Sequence, residues 1–225
     1  MDNIWIGLIG SLLALDTTVV FQVLVSQPLI TAAILGWMMG DLYLGIQVGF
    51  YLQILWLRNI PVGGAVVPEG NVAAIVTTCL VMRYHTDMTY FNAMMVLAVI
   101  YGIAVSYMGG EIVVLYRKIN VYILNWVLNG LKKHRMAPFN LAPLASILIY
   151  FSLIFTLIYV SLVFGDLIFE QITMLPEVWD NFFRYGLVAI LGLGVGLVIS
   201  LYRQKDDRFL LAIGFLIGGI IFLIR

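Results

Sequence analysis

Residues 22–71 read QVLVSQPLITAAILGWMMGDLYLGIQVGFYLQILWLRNIPVGGAVVPEGN. The stretch has the apolar grade of a membrane segment, yet Gln22, Gln27, Asp41, Gln47, Gln53, Asn59, Glu69 and Asn71 interrupt it. Hydrocarbon offers no hydrogen-bond partner, so a buried amide or carboxylate there has to face another helix, a water-filled cavity or a ligand. Residues 60–70, with two prolines and three glycines, are too irregular for helix and too apolar for a surface loop. That combination marks backbone buried in protein or lining a cavity. The apolar segments 29–39, 42–57 and 72–82 are each shorter than the roughly 20 residues of a straight crossing. They read as half-helices, a tight hairpin or a re-entrant loop, the construction with which many secondary transporters build a solute site near the bilayer midplane.

Working outward, the whole chain has the same character. Of its residues 63% are hydrophobic and only 11% charged, and its mean hydropathy is +1.05, far outside the soluble range. The expectation is an all-α, polytopic integral membrane protein with broken or re-entrant helices in its amino-terminal half. No linker divides it, so residues 1–225 read as a single domain. Further apolar segments lie at 4–25, 93–107, 112–131, 143–164, 182–202 and 209–224. The first is read as a membrane helix and not a secretory signal, because it lacks a basic leading region and a small-residue cleavage site, and Asp16 interrupts it. A formal charge of zero offers nucleic acid no binding field, so no nucleic-acid partner is expected. The lone Cys79 sits in the apolar run VAAIVTTCLVM and reads as a packed thiol.

Charge is distributed unevenly along the second half. Glu111, Lys118, Asn125, Asn129 and Lys132 fall along one helical stripe that would lie in the interface or face polar partners. Residues 132–135 are basic, whereas 165–181 carry Asp166, Glu170, Glu177 and Asp180 without Lys or Arg. By the positive-inside rule the first group is cytoplasmic and the second outside, with 203–208 cytoplasmic again. Residues 1–57 hold no Lys or Arg, so the rule leaves the amino-terminal half without an orientation. Gly36, Gly40, Gly45 and Gly49, Gly214 and Gly218, and Gly192, Gly194 and Gly196 read as close packing faces.

Catalytic constellations are absent. His85 and His134 stand alone in polar loops, and no zinc, nucleophile-elbow or phosphate-loop motif occurs. No catalytic residue, metal or cofactor is expected, so any covalent chemistry belongs to another subunit. The polar candidates are Asp16 inside the first helix, Gln22 six residues on, and Gln53, Glu69 and Asn71 around the broken region. Each reads as a helix-to-helix hydrogen bond or a solute contact. Asp41, after Gly40, suits a helix cap. Trp56 and Tyr51 suit packing or stacking on a sugar face.

Leu15–Asp16, Gln22, SQPLITAAILGWMMGD at 26–41, LQILWL at 52–57 and IPVGGAVVPEGN at 60–71 together carry a resemblance. Their order and spacing resemble the amino-terminal signature of enzyme IIC in the mannose, fructose and sorbose family of the bacterial phosphoenolpyruvate-dependent sugar phosphotransferase system. The resemblance implies a permease subunit of the bacterial inner membrane that moves a hexose-type sugar. It also implies an oligomer with a IID-type membrane subunit, and cytoplasmic IIA- and IIB-type phosphocarriers that phosphorylate the sugar. By position it implies Asp16, Gln22, Gln53, Glu69 and Asn71 as sugar-binding residues. Two features depart from the family pattern: Gln53 stands where Glu is usual, and Val67-Pro68-Glu69 replaces Pro-Asp. Two other readings remain: a non-transporting sensor that recruits partners through its basic loop, and an ion-coupled carrier relying on Asp16.

Overall fold

A computed structural model describes residues 1–20, 22–57, 66–84, 90–172, 178–201, 209, 213 and 214. Their secondary structure is helical: α1 (Asn3–Thr18), α2 (Pro28–Met39), α3 (Leu42–Trp56), α4 (Gly70–Tyr84), α5 (Phe91–Lys132), α6 (Ala137–Ile172) and α7 (Val178–Leu201). Most of the irregular 60–70 stretch, Asn59, His85, the basic residues of 203–208 and most of the last apolar segment lie outside the described residues.

The centre of the fold is α4. Every residue from Asn71 to Met82 is buried, because α1, α2, α3, α5 and α6 all pack on it. A helix surrounded by protein meets no lipid, so its 15 residues need not match the bilayer. Its small and β-branched side chains let neighbours approach: the Thr77 hydroxyl donates to the Ala98 carbonyl at 3.1 Å, and Gly102 of α5 lies directly against that hydroxyl.

Before α4, α2 and α3 form a hairpin of 12 and 15 residues, about 18 and 22 Å long at 1.5 Å per residue. Gly40 turns the chain with φ 99°, a left-handed conformation that glycine adopts without steric cost. Asp41 caps α3, its side chain accepting from the Leu44 amide at 2.9 Å. Gly36 and Gly45 bring the two backbones together, since a β-carbon on Gly45 would stand 2.8 Å from the Gly36 α-carbon. Among the described residues Gly194 packs against Ile54, while Gly192 and Gly196 have no described atom within 4 Å, so within those residues the later glycine series makes a single contact.

The expected break between segments 93–107 and 112–131 does not occur. Both belong to α5, a continuous helix of 42 residues. Gly109 and Gly110 there form a shallow groove for residues 66–69: β-carbons on them would lie 2.7 Å from the Glu69 β-carbon and 3.1 Å from the Val67 carbonyl oxygen. The polar stripe thus continues a membrane helix. After a turn at 133–136, α6 starts at 137, earlier than expected, and runs 36 residues with Pro143 inside it. The turn closes as Gly130 O accepts from the Lys133 and Arg135 amides. At 1.5 Å per residue α5 and α6 are about 63 and 54 Å long, well beyond a hydrocarbon core of ~30 Å. Together with α7, they are the described helices long and apolar enough to cross a membrane.

An acidic end and a basic end result. Asp166 receives Arg83 Nη1 at 2.8 Å, Asn3 Nδ2 at 3.0 Å and the Tyr84 hydroxyl at 3.2 Å. Asp180 receives Asn92 Nδ2 at 2.6 Å and the Ala93 amide at 2.9 Å. Contacts of α1 with α6 run from that end down to Thr18, whose hydroxyl lies 3.1 Å from the Tyr150 hydroxyl. Beyond Tyr150, α5 and α6 pair mainly with each other, Ser146 joining Tyr116 at 2.7 Å and Asn120 at 2.8 Å. Val121, Tyr122, Leu124, Leu141, Leu144 and Leu148 are exposed on this outer half of the hairpin.

Candidate functional site

The carboxyl ends of α1 and α3 meet the amino ends of α2 and α4 around a pocket of about 110 Å³. Thr17, Ser26, Gln27, Pro28, Trp56, Val67, Pro68, Glu69, Gly70 and Asn71 line it. Helix ends suit such a place, because their terminal amides and carbonyls have no partner within the helix and are free to meet a solute. Gly70 lets the Trp56 indole close one side: a β-carbon there would lie 3.0 Å from the ring. The 66–69 segment is pinned on the opposite side by the Glu69 amide, which donates to the Ser106 carbonyl of α5 at 2.9 Å.

Among the described residues, six buried side-chain polar atoms have no hydrogen-bond partner, and four of them belong to this pocket. They are Thr17 Oγ1, Trp56 Nε1, and Asn71 Oδ1 and Nδ2. Leaving such a group unpaired costs about 1–3 kcal/mol, and native structures seldom tolerate it without a reason. Clustering around one cavity supplies the reason: the set holds a donor in the indole, a donor and an acceptor in the amide, and a hydroxyl that does either. Glu69, 7% exposed, adds carboxylate acceptors at the start of α4, and the opposite charge acting on it is Arg117 of α5.

The structure separates the five sequence candidates. Glu69 and Asn71 line the pocket. Gln53 stands one step behind: its Oε1 accepts from the Leu29 amide at 3.3 Å and its Nε2 donates to Gln27 Oε1 at 3.1 Å, so it holds the Gln27 side chain on the pocket wall. Asp16 is buried in α1 outside the lining, its two oxygens taken by the Val23 amide at 2.7 Å and the Ser26 amide at 3.1 Å. Gln22 is exposed, with φ 53°, and takes no part in the lining. Thr17, Ser26 and Gln27 were not among those five, since hydroxyls and amides on apolar helices carry no distinctive pattern. Of the two aromatics suited to packing or to stacking on a sugar face, Trp56 lies at the cavity and Tyr51 packs edge-on against Phe50.

A family model described as the PTS system sorbose-specific IIC component matches residues 1–223. The sorbose-specific EIIC component of Klebsiella pneumoniae is 23% identical over 195 residues, 86% of this chain and 71% of that protein. The mannose-specific EIIC component of Escherichia coli K12 is 36% identical over 59 residues, 26% of this chain and 22% of that protein. Two solved structures share the fold. One, titled only as a membrane protein, superposes with a TM-score of 0.73 at 20% identity, over 96% of this chain and 86% of that one. The other, a complex of the mannose transporter ManYZ with microcin E492, gives 0.58 at 21% identity, over 96% and 84%. With nearly its whole length matched by the family model and long apolar helices consistent with it, the chain belongs to the sorbose-type IIC family of phosphotransferase-system membrane components.

Proposed function

We propose that this chain is the sugar-conducting IIC subunit of a phosphotransferase system, a single multi-pass domain that moves a hexose-class sugar across the bacterial inner membrane. Its site is the pocket between α1, α3 and α4, with Asn71, Glu69, Trp56 and Thr17 touching the sugar and Gln53 acting through Gln27. The observation that carries this reading is the set of unpaired buried polar atoms around one cavity. A sugar hydroxyl both donates and accepts, and so satisfies amide, indole and hydroxyl together. The cavity is smaller than the 300–1,000 Å³ of common ligand clefts, so the sugar needs a wall to open. The exposed apolar outer half of the α5–α6 hairpin, broken by Lys118, Asn125 and Asn129, suits a IID-type membrane subunit within an oligomer. Phosphoryl transfer falls to IIA- and IIB-type partners.

Sugar uptake by membrane vesicles carrying the complete complex tests this. Uptake that requires phosphoenolpyruvate and falls with Asn71→Ala is the expected result. Phosphocarrier binding through residues 132–135, all exposed, without any uptake would favour the sensor reading instead.

A further inference from the structure

The connection between α1 and α2 is held in an unusual way. Gln22 and Leu24 have φ 53° and 70°, a left-handed conformation that a β-carbon disfavours. Such backbone persists only where its surroundings fix it. Among the described residues packing does not do so, because Val23 and Leu24 expose their side chains. The Asp16 carboxylate does, with one oxygen on the Val23 amide and the other on the Ser26 amide. Three further bonds complete the wrap: the Gln22 amide donates to the Val20 carbonyl at 2.8 Å, the Gln27 amide to the Leu24 carbonyl at 3.0 Å, and the Thr31 hydroxyl to the Val25 carbonyl at 2.9 Å. The residues so fixed, Ser26, Gln27 and Pro28, form a wall of the pocket.

We infer that Asp16 is a positioning residue: it holds the Ser26–Gln27–Pro28 wall in place against the pocket, without touching the sugar. The inference rests on the pocket being the sugar site. A carboxylate suits the task because both of its oxygens only accept, and two amide N–H groups converge on it. Asparagine would turn a donor toward one of those amides. Glutamate keeps both acceptors on a longer arm. The opposite wall rests on α5 through the close approach at Gly109 and Gly110 and the bond from the Glu69 amide to the Ser106 carbonyl, none of which involves Asp16, so a change at residue 16 is felt on the Ser26 side alone.

Two readouts on the assembled complex in its membranes test the inference. In a Cys79→Ala background, a cysteine introduced by Ser26→Cys should react with a water-soluble maleimide several-fold faster when Asp16→Asn is added, and return toward the starting rate with Asp16→Glu. An unchanged rate overturns the inference without reference to any sugar. In binding measurements with mannose, sorbose and their monodeoxy analogues, Asp16→Asn should weaken every sugar that binds by a similar factor of about five- to 50-fold. Gln27→Ala combined with it should be little worse than Gln27→Ala alone, as expected of residues acting through one element. A loss confined to the sugars that keep one particular hydroxyl overturns the inference by making Asp16 a direct contact. If wild-type complex binds none of these sugars while the maleimide result holds, the positioning role stands and the pocket's assignment to a sugar fails.

Discussion

Asn71 is 2% exposed, and neither of its side-chain polar atoms has a partner among the described residues. Residues that fold a protein and residues that bind its ligand usually answer differently to truncation, and Asn71 should give an extreme case. Removing an unpaired buried amide takes away a cost and no bond, so Asn71→Ala should leave the melting temperature of the empty complex unchanged or slightly raised. The same substitution removes a donor and an acceptor from the bound sugar and should weaken binding by about 1–3 kcal/mol, a roughly five- to 150-fold rise in Kd. Thermal melts and equilibrium binding on one preparation check both. A marked destabilisation with normal affinity would show that Asn71 is bonded in the protein and that the pocket is not the site. Glu69 and Asn71 were legible in the sequence, because a carboxylate and an amide beside a Pro–Gly break at membrane depth have few other uses. Asp16 was legible as an intramembrane acid, but not that its oxygens turn to backbone amides seven and ten residues on, which depends on the path of the connection. Thr17 could not be singled out, and Trp56 could not be told apart from Tyr51, since their side chains serve equally well in packing.

Helices α2 and α3 owe their pairing to places where no side chain intrudes, and glycine substitutions there should separate backbone contacts from open positions. A β-carbon on Gly45 would meet the Ala32 carbonyl oxygen and the Gly36 α-carbon at 2.5 and 2.8 Å. Both are backbone atoms that cannot rotate away. Gly45→Val should therefore splay the hairpin and cost roughly 1–3 kcal/mol of stability, occasionally more. Gly192→Ala, in an exposed helical position with nothing within 4 Å, should be neutral or stabilising by up to ~1 kcal/mol through helix propensity. Comparing the thermal stabilities of the two variants is the check, and equal effects would mean that the Gly36–Gly45 contact does not hold the hairpin. This pairing was readable from the pairs of glycines four apart on either side of Asp41. The continuity of α5 was not. Gly109, Gly110 and Glu111 look like a helix stop, and only the seating of residues 66–69 on those glycines explains why two poor helix formers are kept in mid-helix. Gly109→Ala should push on the Glu69 β-carbon, 2.7 Å away from the added group, and reduce sugar uptake with little change in expression.

At the scale of the whole molecule, the polar ends decide the orientation that the first 57 residues leave open. Arg83 Nη2 donates to the Met1 carbonyl at 2.9 Å, and Asn3 and Tyr84 bond to Asp166. The start of α1 and the end of α4 therefore lie at the same end of the bundle as Asp166. Lys132 and Lys133 lie at the far end of the α5–α6 hairpin, separated from Asp166 by about 44 Å of α6 at 1.5 Å per residue. If the positive-inside rule places residues 132–135 in the cytoplasm, both the amino terminus and Tyr84 must face outward. Helices α1 to α4 then leave the outer face and return to it, and α5, α6 and α7 make the full crossings, in agreement with their being the helices long enough to do so. A reporter fluorescent only in the cytoplasm should accordingly be dark when fused at residue 1, after Tyr84 or beside Asp166, and bright within residues 132–135. Equal brightness at residue 1 and at 132–135 would be incompatible with Asn3 lying 3.0 Å from Asp166. Equal brightness would mean that α1 leaves this packing in the membrane, whereas a bright residue 1 with dark 132–135 would mean that the charge rule fails for this chain. A thiol label at Asn3→Cys checks the packing directly: a position packed beside Asp166 should share that residue's accessibility from the same side of the membrane, whichever side that is.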